Sequence, residues 1–343
     1  MGSFSEDQVR VTILMPVYDV GKYVKESIDS ILAQTFSSFR LLIIDDCSTD
    51  DTAAVVMSYT DSRIRYVRNE QNLGLAKNLN KGLGLIDTEF VARFDGDDIA
   101  EPTWLEKNMQ VMESCPDIGI CSSGFEFFGT RSGKVIYPEK HEDSICQMLF
   151  GCTVIIPVIR MSVFNENNLT YDPDSFPAED YHMWARCYRL TRVYNIQEIL
   201  FHYRFHASQI SSSKRAAQIV KTNEVRTLML EWLSPEMKDS DKRYFLDEFC
   251  LGEASSVADL KKMRSFVDVL MAYNSQHHFD DSSLFNRLRK QVRSTAYRYT
   301  QKAFFINGYD LKSYFGFVRS GAYGYLSAGR NLRVLCYSIL HKR

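Results

Sequence analysis

The chain has 343 residues, 45% of them hydrophobic, which predicts about two domains with sizeable cores. No apolar run approaches the roughly 18 residues of a membrane-crossing helix, and Met1–Glu6 has neither the basic and apolar regions of a secretory signal nor the hydroxyl at position 6 of a myristoylation signal. Eight cysteines without a CxxC pair predict reduced thiols in a cytoplasmic protein, and the net charge of −2 averages a basic C-terminal stretch against an acidic remainder.

Strand and helix signals alternate from the start. Val11–Met15 reads as a short buried strand stopped by Pro16, and apolar residues at helical spacing run from Val20 to Gln34. Leu41–Ile44 is a second strand, ended by Asp45-Asp46. Thr49 or Asp50 then caps a helix to about Tyr59, with Ser48 to Asp51 as the capping residues. Ile64–Val67 predicts a third strand, Leu75–Ile86 a helix, Phe90–Phe94 a fourth strand, and Pro102 opens another helix. This alternation predicts an α/β fold with a central, mainly parallel sheet covered on both faces. Ligands of such sheets bind at the carboxyl ends of the strands, where Pro16–Asp19, Asp45-Asp46 and Asp95–Asp98 all fall.

Beyond Asp117 the pattern loosens into strands at Ile118–Phe128 and Val154–Arg160, a helix at Asp180–Leu190 and a strand at Leu200–Phe205. Helical periodicity dominates from Lys214, so the polar segment Ser208–Ser213 predicts a boundary between residues 1–213 and 214–343. From Arg287 onward twelve basic residues stand against one acid, Asp310, a charge of +11 that leaves −13 for the remainder. Phe304-Phe305-Ile306, Tyr309, Tyr314-Phe315, Phe317, Tyr323 and Tyr325 interleave with that charge. It reads either as a helical cap with solvated charges or as peripheral attachment to the cytoplasmic face of an anionic membrane. No recognised nucleic-acid module frames it, so no nucleic-acid partner is expected.

Asp95-Gly96-Asp97-Asp98 places three carboxylates in four residues at a strand exit, where they repel one another and resist desolvation. A solvated acidic turn carries such a cluster, and so does a site for Mg²⁺ or Mn²⁺, which take carboxylate oxygens and bridge to substrate phosphates. Asp45 and Asp46 precede the cap, where a carboxylate can accept a pyrimidine imide N–H or hold a ribose hydroxyl. Glu179-Asp180 either stabilises a helix N-terminus or supplies a catalytic carboxylate. Trp184 is a core residue or a platform for an acceptor sugar, and His206 is structural or sits near a metal or diphosphate.

Taken in order, these segments resemble family 2 glycosyltransferases. The resemblance rests on Pro16-Val17-Tyr18-Asp19 with Tyr23-Val24, Ser27-Ile28, Ser30-Ile31-Leu32 and Gln34-Thr35, and on Asp45-Asp46-x-Ser48-Thr49-Asp50, Asn72-x-Gly74 and Asp95-Gly96-Asp97-Asp98. It continues through Glu179-Asp180-Tyr-His-Met-Trp184 and Tyr203-Arg204-Phe205-His206, covering roughly residues 11–211. It implies a GT-A nucleotide-sugar-binding fold followed by a helical region, a UDP-sugar donor, a divalent cation, inversion at the anomeric carbon, and a saccharide or lipid-linked acceptor in surface-polysaccharide assembly. By position it implies Pro16, Tyr18, Asp19, Asp46, Lys77, Asp95 and Asp97 at the nucleotide-sugar, with Asp46 on the base. Asp98, with Asp97 and His206, would hold the metal, Asp180 would be the general base, and Glu179 and Trp184 would support the acceptor. Asp19 departs from the family's usual Asn. Two other readings are an aspartyl-nucleophile phosphatase using Asp95 and Asp97, and a non-catalytic membrane-associated scaffold. Against the phosphatase stand Ile99, where Thr or Val is wanted, and three strands ahead of the motif.

Overall fold

The computed structural model describes residues 9–206, 214–307, 311–319, 321–326 and 328–339. Two compact units, Met1–Val225 and Arg226–Arg343, divide the chain within the helix Arg215–Leu233. The segment Ser208–Ser213, where the sequence suggests a boundary, lies outside the described residues.

The first unit opens with β1 (Val11–Val17), α1 (Val24–Leu32), β2 (Phe39–Asp45), α2 (Thr52–Met57), β3 (Ile64–Arg68), α3 (Leu75–Leu83) and β4 (Phe90–Arg93). These four strands pair in parallel in the order β3-β2-β1-β4. β1 is buried on both faces, which explains its unbroken apolar run. Pro16 does not stop β1 as the sequence suggests. The carbonyl of Leu14 accepts from Phe94 on the β4 side, whereas that of Val17 accepts from Asp46 on the β2 side. Pro16 therefore turns its missing donor toward β4, whose pairing with β1 ended at Leu14–Arg93, so no ladder bond is lost.

The chain then forms β5 (Ile99–Ala100), α4 (Trp104–Ser114), β6 (Ile118–Gly129), β7 (Gly133–Val135), α5 (His141–Met148), β8 (Val158–Arg160), α6 (Met161–Asn165), α7 (Glu179–Cys187) and β9 (Arg192–Phe205). β8 runs antiparallel to both β4 and β6, and β9 lies between β6 and β5, extending one sheet. Pro157 and the left-handed backbone of Ile156 confine the expected strand Val154–Arg160 to its last three residues. β9 begins eight residues before Leu200, because its polar outer residues Gln197 and Glu198 hide the strand pattern.

The second unit is helical. α8 (Arg215–Leu233) leads into it, followed by α9 (Asp239–Tyr244), a single π-helical turn at Phe245–Phe249, α10 (Val257–Tyr273), α11 (Asp281–Asn307), α12 (Leu311–Arg319) and α13 (Ala328–Ile339). α10 starts on a reciprocal cap between Ser256 and Asp259. Leu260, Ala296, Tyr314, Leu326 and Val334 pack together in one core of this unit. Among the described residues no helix is long and apolar enough to cross a membrane.

Candidate active site

Because β1 to β4 run in parallel and the chain crosses from β3 to the far side of β1, their carboxyl ends form a crevice at a change of winding direction. Tyr18 is exposed just past the end of β1, directly after buried Val17. Asp19 follows with φ 50°. Its Oδ1 accepts from the backbone N–H groups of Thr49 (2.7 Å) and Asp50 (3.3 Å), while its own N–H donates to Ser48 Oγ at 3.1 Å. Ser48 and Thr49 thus hold the neighbouring loop instead of capping α2. The amide at the start of that helix, Thr52 N, donates to Asp50 Oδ1 at 2.9 Å.

Asp45 is fully buried and accepts from Ser48 N (2.8 Å) and Tyr66 Oη (2.5 Å). Asp46 accepts from Asn69 Nδ2 (2.7 Å), Leu73 N (2.8 Å) and Gly74 N (2.8 Å). Its carboxylate therefore organises the Asn72-x-Gly74 turn that begins α3. Three of about four lone-pair sites are engaged, which leaves limited capacity for a ligand. Lys77 is exposed on α3.

The acidic loop after β4 is pressed against β1. A Cβ on Gly96 would come within 2.7 Å of Val17 Cγ1, so only glycine lets the loop lie this close. Asp98 is buried. Its Oδ1 accepts from Arg204 N on β9 at 2.8 Å, whereas its Oδ2 has no hydrogen-bond partner among the described residues. Arg204 also donates from Nε to the carbonyl of Asp97 (2.7 Å), pairs with Glu26 on α1 (2.5 Å), and stacks over Tyr23 and Phe128. His206 Nε2 lies 3.0 Å from Asp97 Oδ2, with its ring 4.8 Å from that of Tyr23. β9 and α1 together hold the loop in place.

Arg93 joins the two distant acidic motifs. Buried at the end of β4, it donates from Nη1 to Asp95 Oδ2 at 3.1 Å, and its Nη2 lies 3.3 Å from Asp180 Oδ2 at the start of α7. A positive charge inside the apolar run Phe90–Phe94 was the signal for such a role, since a lone buried guanidinium demands carboxylate partners. In the sequence Arg204 stands out only as part of Tyr203-Arg204-Phe205-His206. Burial pushes the Asp95 carboxyl up to about 6 against the opposing pull of Arg93, and raises Asp180 in the same way. Burial, reinforced by Asp180, lifts Glu179 to about 7. Asp98 is raised well above the usual carboxylate range by burial and by Asp97 and Asp95.

Asp180 Oδ1 and Glu179 Oε2 are buried without hydrogen-bond partners among the described residues. Trp184 is only 1% exposed and meets Tyr171 edge-on, so it is a core residue whose indole offers no surface to an acceptor sugar.

Among the described residues no group of three or more His, Cys, Asp and Glu side chains is arranged to hold a metal by itself. The residues nevertheless fit a divalent cation that takes further ligands from a diphosphate. Asp98 Oδ2 is an unsatisfied buried carboxylate oxygen beside half-buried Asp97, and oxygen donors suit Mg²⁺ and Mn²⁺.

The model of glycosyl transferase family 2 matches residues 12–180. An Escherichia coli relative, "UDP-Glc:alpha-D-GlcNAc-diphosphoundecaprenol beta-1,3-glucosyltransferase WfgD", is 31% identical over 217 residues, which cover 61% of this chain and 82% of that protein. The chain spans from 34% of the length of one curated relative to that 82% of another. S. aureus TarS 1–349 in complex with UDP-GlcNAc shares the fold with a TM-score of 0.59 at 18% identity, over 83% of this chain and 91% of that one. The mannosyltransferase PcManGT from Pyrobaculum calidifontis, in complex with GDP-Man and Mn²⁺, aligns with a TM-score of 0.52 at 14% identity, over 84% and 86% of the two chains. This chain belongs to glycosyltransferase family 2 and has a GT-A-type α/β fold followed by a helical region. It is a glycosyltransferase, and the phosphatase and scaffold readings fall away.

Proposed function

We propose that the enzyme transfers a sugar, with inversion and with the aid of a divalent cation, from a UDP-sugar to a hydroxyl of a saccharide or lipid-linked saccharide in surface-polysaccharide assembly. The observation that carries this reading is the Arg93 bridge, which ties the acidic loop after β4 to the carboxylate at the start of α7. A donor-side motif and a candidate base thereby share one crevice. The donor and acceptor classes draw support from the activity named for the E. coli relative.

A sugar hydroxyl is a poor nucleophile at neutral pH, so a carboxylate must take its proton as the new bond forms. Asp180 is assigned that role. Its proton-free state depends on Arg93, because burial alone drives the carboxyl toward its neutral form. The acceptor oxygen bonds to the anomeric carbon, its proton passes to Asp180, and the bond to the diphosphate breaks with its electron pair leaving on the diphosphate. Approach from the face opposite the leaving group gives inversion. Asp98 and Asp97 would hold the cation, with His206 orienting Asp97 through their 3.0 Å contact. When bound, the cation supplies positive charge for the departing diphosphate. Tyr18, Pro16 and Asp19 form the nucleoside side of the crevice. Asp46 acts there chiefly by shaping the Leu73–Gly74 turn, with Lys77 on the helix that follows, and Glu179 lies on the acceptor side of Asp180.

Incubation with radiolabelled UDP-sugars and Mn²⁺, with saccharide and undecaprenyl-linked acceptors, tests this reading. Transfer should fall at least a hundredfold in Asp180→Asn and in Asp98→Asn. Unchanged transfer in Asp180→Asn, or equal transfer in the presence of a chelator, would overturn it.

A further inference from the structure

We infer that the C-terminal helices α12 and α13 form a docking surface for an anionic lipid bilayer. This inference concerns the second unit alone and stands independently of the donor and acceptor assigned above. On α12, Phe315 is 58% exposed and Val318 38% exposed, while Tyr314, which precedes Phe315 around the helix, is buried. On α13, Leu332 and Ile339 are 61% and 53% exposed, and Asn331, Val334 and Ser338 are buried. Seven residues make nearly two helical turns, so Leu332 and Ile339 share one outward face. Each helix therefore has an inner side used in packing and an outer side carrying large apolar groups.

Single exposed apolar residues are ordinary. These four are not isolated, because exposed Lys312, Arg319 and Arg333 accompany them on the same two helices. From residue 311 to the C-terminus the sequence contains six Lys and Arg and no Asp or Glu. Outward apolar side chains among cations, with acids excluded, match the boundary between acyl chains and anionic headgroups. A polyanionic RNA would satisfy the charge and offer bases to stack on Phe315, but would give the aliphatic Leu332 and Ile339 nothing to enter. The pattern therefore favours lipid. Since no described helix is long and apolar enough to span, contact would be in the plane of the interface.

Flotation of the full chain with phosphatidylcholine vesicles, with and without 30 mol% phosphatidylglycerol, tests the inference. The protein should float with the anionic vesicles and stay behind with the neutral ones. Leu332→Ser/Ile339→Ser keeps every charge and changes two exposed side chains, so it should remain folded by circular dichroism while its vesicle affinity falls roughly tenfold or more. Its retention on heparin should not change. The inference is overturned by absence of flotation, by equal flotation with neutral vesicles, or by undiminished binding of the folded double variant. If that variant fails to fold, Lys312→Glu/Arg319→Glu decides, and undiminished flotation of it overturns the inference as well.

Discussion

Replacing Arg93 with Met keeps most of the side-chain volume and removes the charge that joins Asp95 to Asp180. At an effective dielectric constant of about 20, each contact near 3.2 Å has a gross attraction of roughly 5 kcal/mol, against which stands the cost of burying the guanidinium. Removing one partner from a buried ionic cluster costs about 3–5 kcal/mol. Because the Asp95 and Asp180 side chains retain 26% and 32% of their exposure, the lower end, about 3 kcal/mol, is appropriate. For a unit of this size that corresponds to a fall in Tm of roughly 6–12 °C by differential scanning fluorimetry. The pH dependence is the sharper test. Burial already raises both carboxyls, and Arg93 is the group that pulls them back. Without it they rise further, and an acid raised in the folded state contributes stability below its unfolded value that is lost as pH climbs through the folded one. The stability gap between Arg93→Met and the parent should therefore be small near pH 4 and widest above pH 7. The acid limb of transfer should also shift upward, with Arg93→Lys in between. A gap that does not change with pH, or an unmoved acid limb, would refute the reasoning.

Asp98→Asn removes a carboxyl whose charge burial, Asp97 and Asp95 all disfavour, so it should raise Tm by roughly a few degrees while abolishing Mn²⁺-dependent transfer. A lower Tm would count against Asp98 as a site of stored electrostatic cost. Glu179, lifted to about 7, contributes stability below pH 4.5 that disappears by pH 7. Glu179→Gln should be nearly neutral at pH 4.5 and stabilising at pH 8 by on the order of 3 kcal/mol, measured by urea unfolding at both values. Gly96→Ala should cost about 1–3 kcal/mol, because its Cβ would meet Val17 at 2.7 Å, and should weaken nucleotide binding by moving the acidic loop. An unaltered UDP affinity in a folded Gly96→Ala protein would show that the loop tolerates the shift.

The parallel half of the sheet was readable because its strands are apolar runs punctuated by acidic exits, and those exits mark the crevice directly. The second half was less readable for physical reasons. β9 combines core positions such as Val193 and Phe201 with polar outer ones, and α5 begins with His141-Glu142-Asp143, whose polarity masks a short helix with few apolar residues. Within the site, the residue types at each strand end were evident, but their allocation was not. Asp46 reads as a ligand contact and spends most of its capacity on Asn69, Leu73 and Gly74. Trp184 reads as core or as platform, and only burial distinguishes them. Arg93 was missed as a site residue: it stands as a charge within an apolar strand, and its second partner lies far along the chain, beyond the reach of local pattern.

Among the described residues Asp97 and Asp98 have no third protein ligand grouped with them, whereas a nucleoside diphosphate supplies phosphate oxygens and brings its own negative charge into an already acidic loop. Each of the two ligands therefore lacks what the other provides. Cation and nucleotide should bind cooperatively, and because coupling free energy is reciprocal, Mn²⁺ must tighten UDP by the same factor as UDP tightens Mn²⁺. Typical couplings of 1–3 kcal/mol correspond to about 5–150-fold. Isothermal titration calorimetry of each ligand in the absence and presence of the other measures both factors. Asp98→Asn should reduce them toward one while leaving a weaker, cation-independent affinity for UDP on the Tyr18 side of the crevice. If Mn²⁺ binds equally well with and without UDP, the acidic loop is a complete cation site by itself, and the division of ligands between protein and diphosphate is wrong.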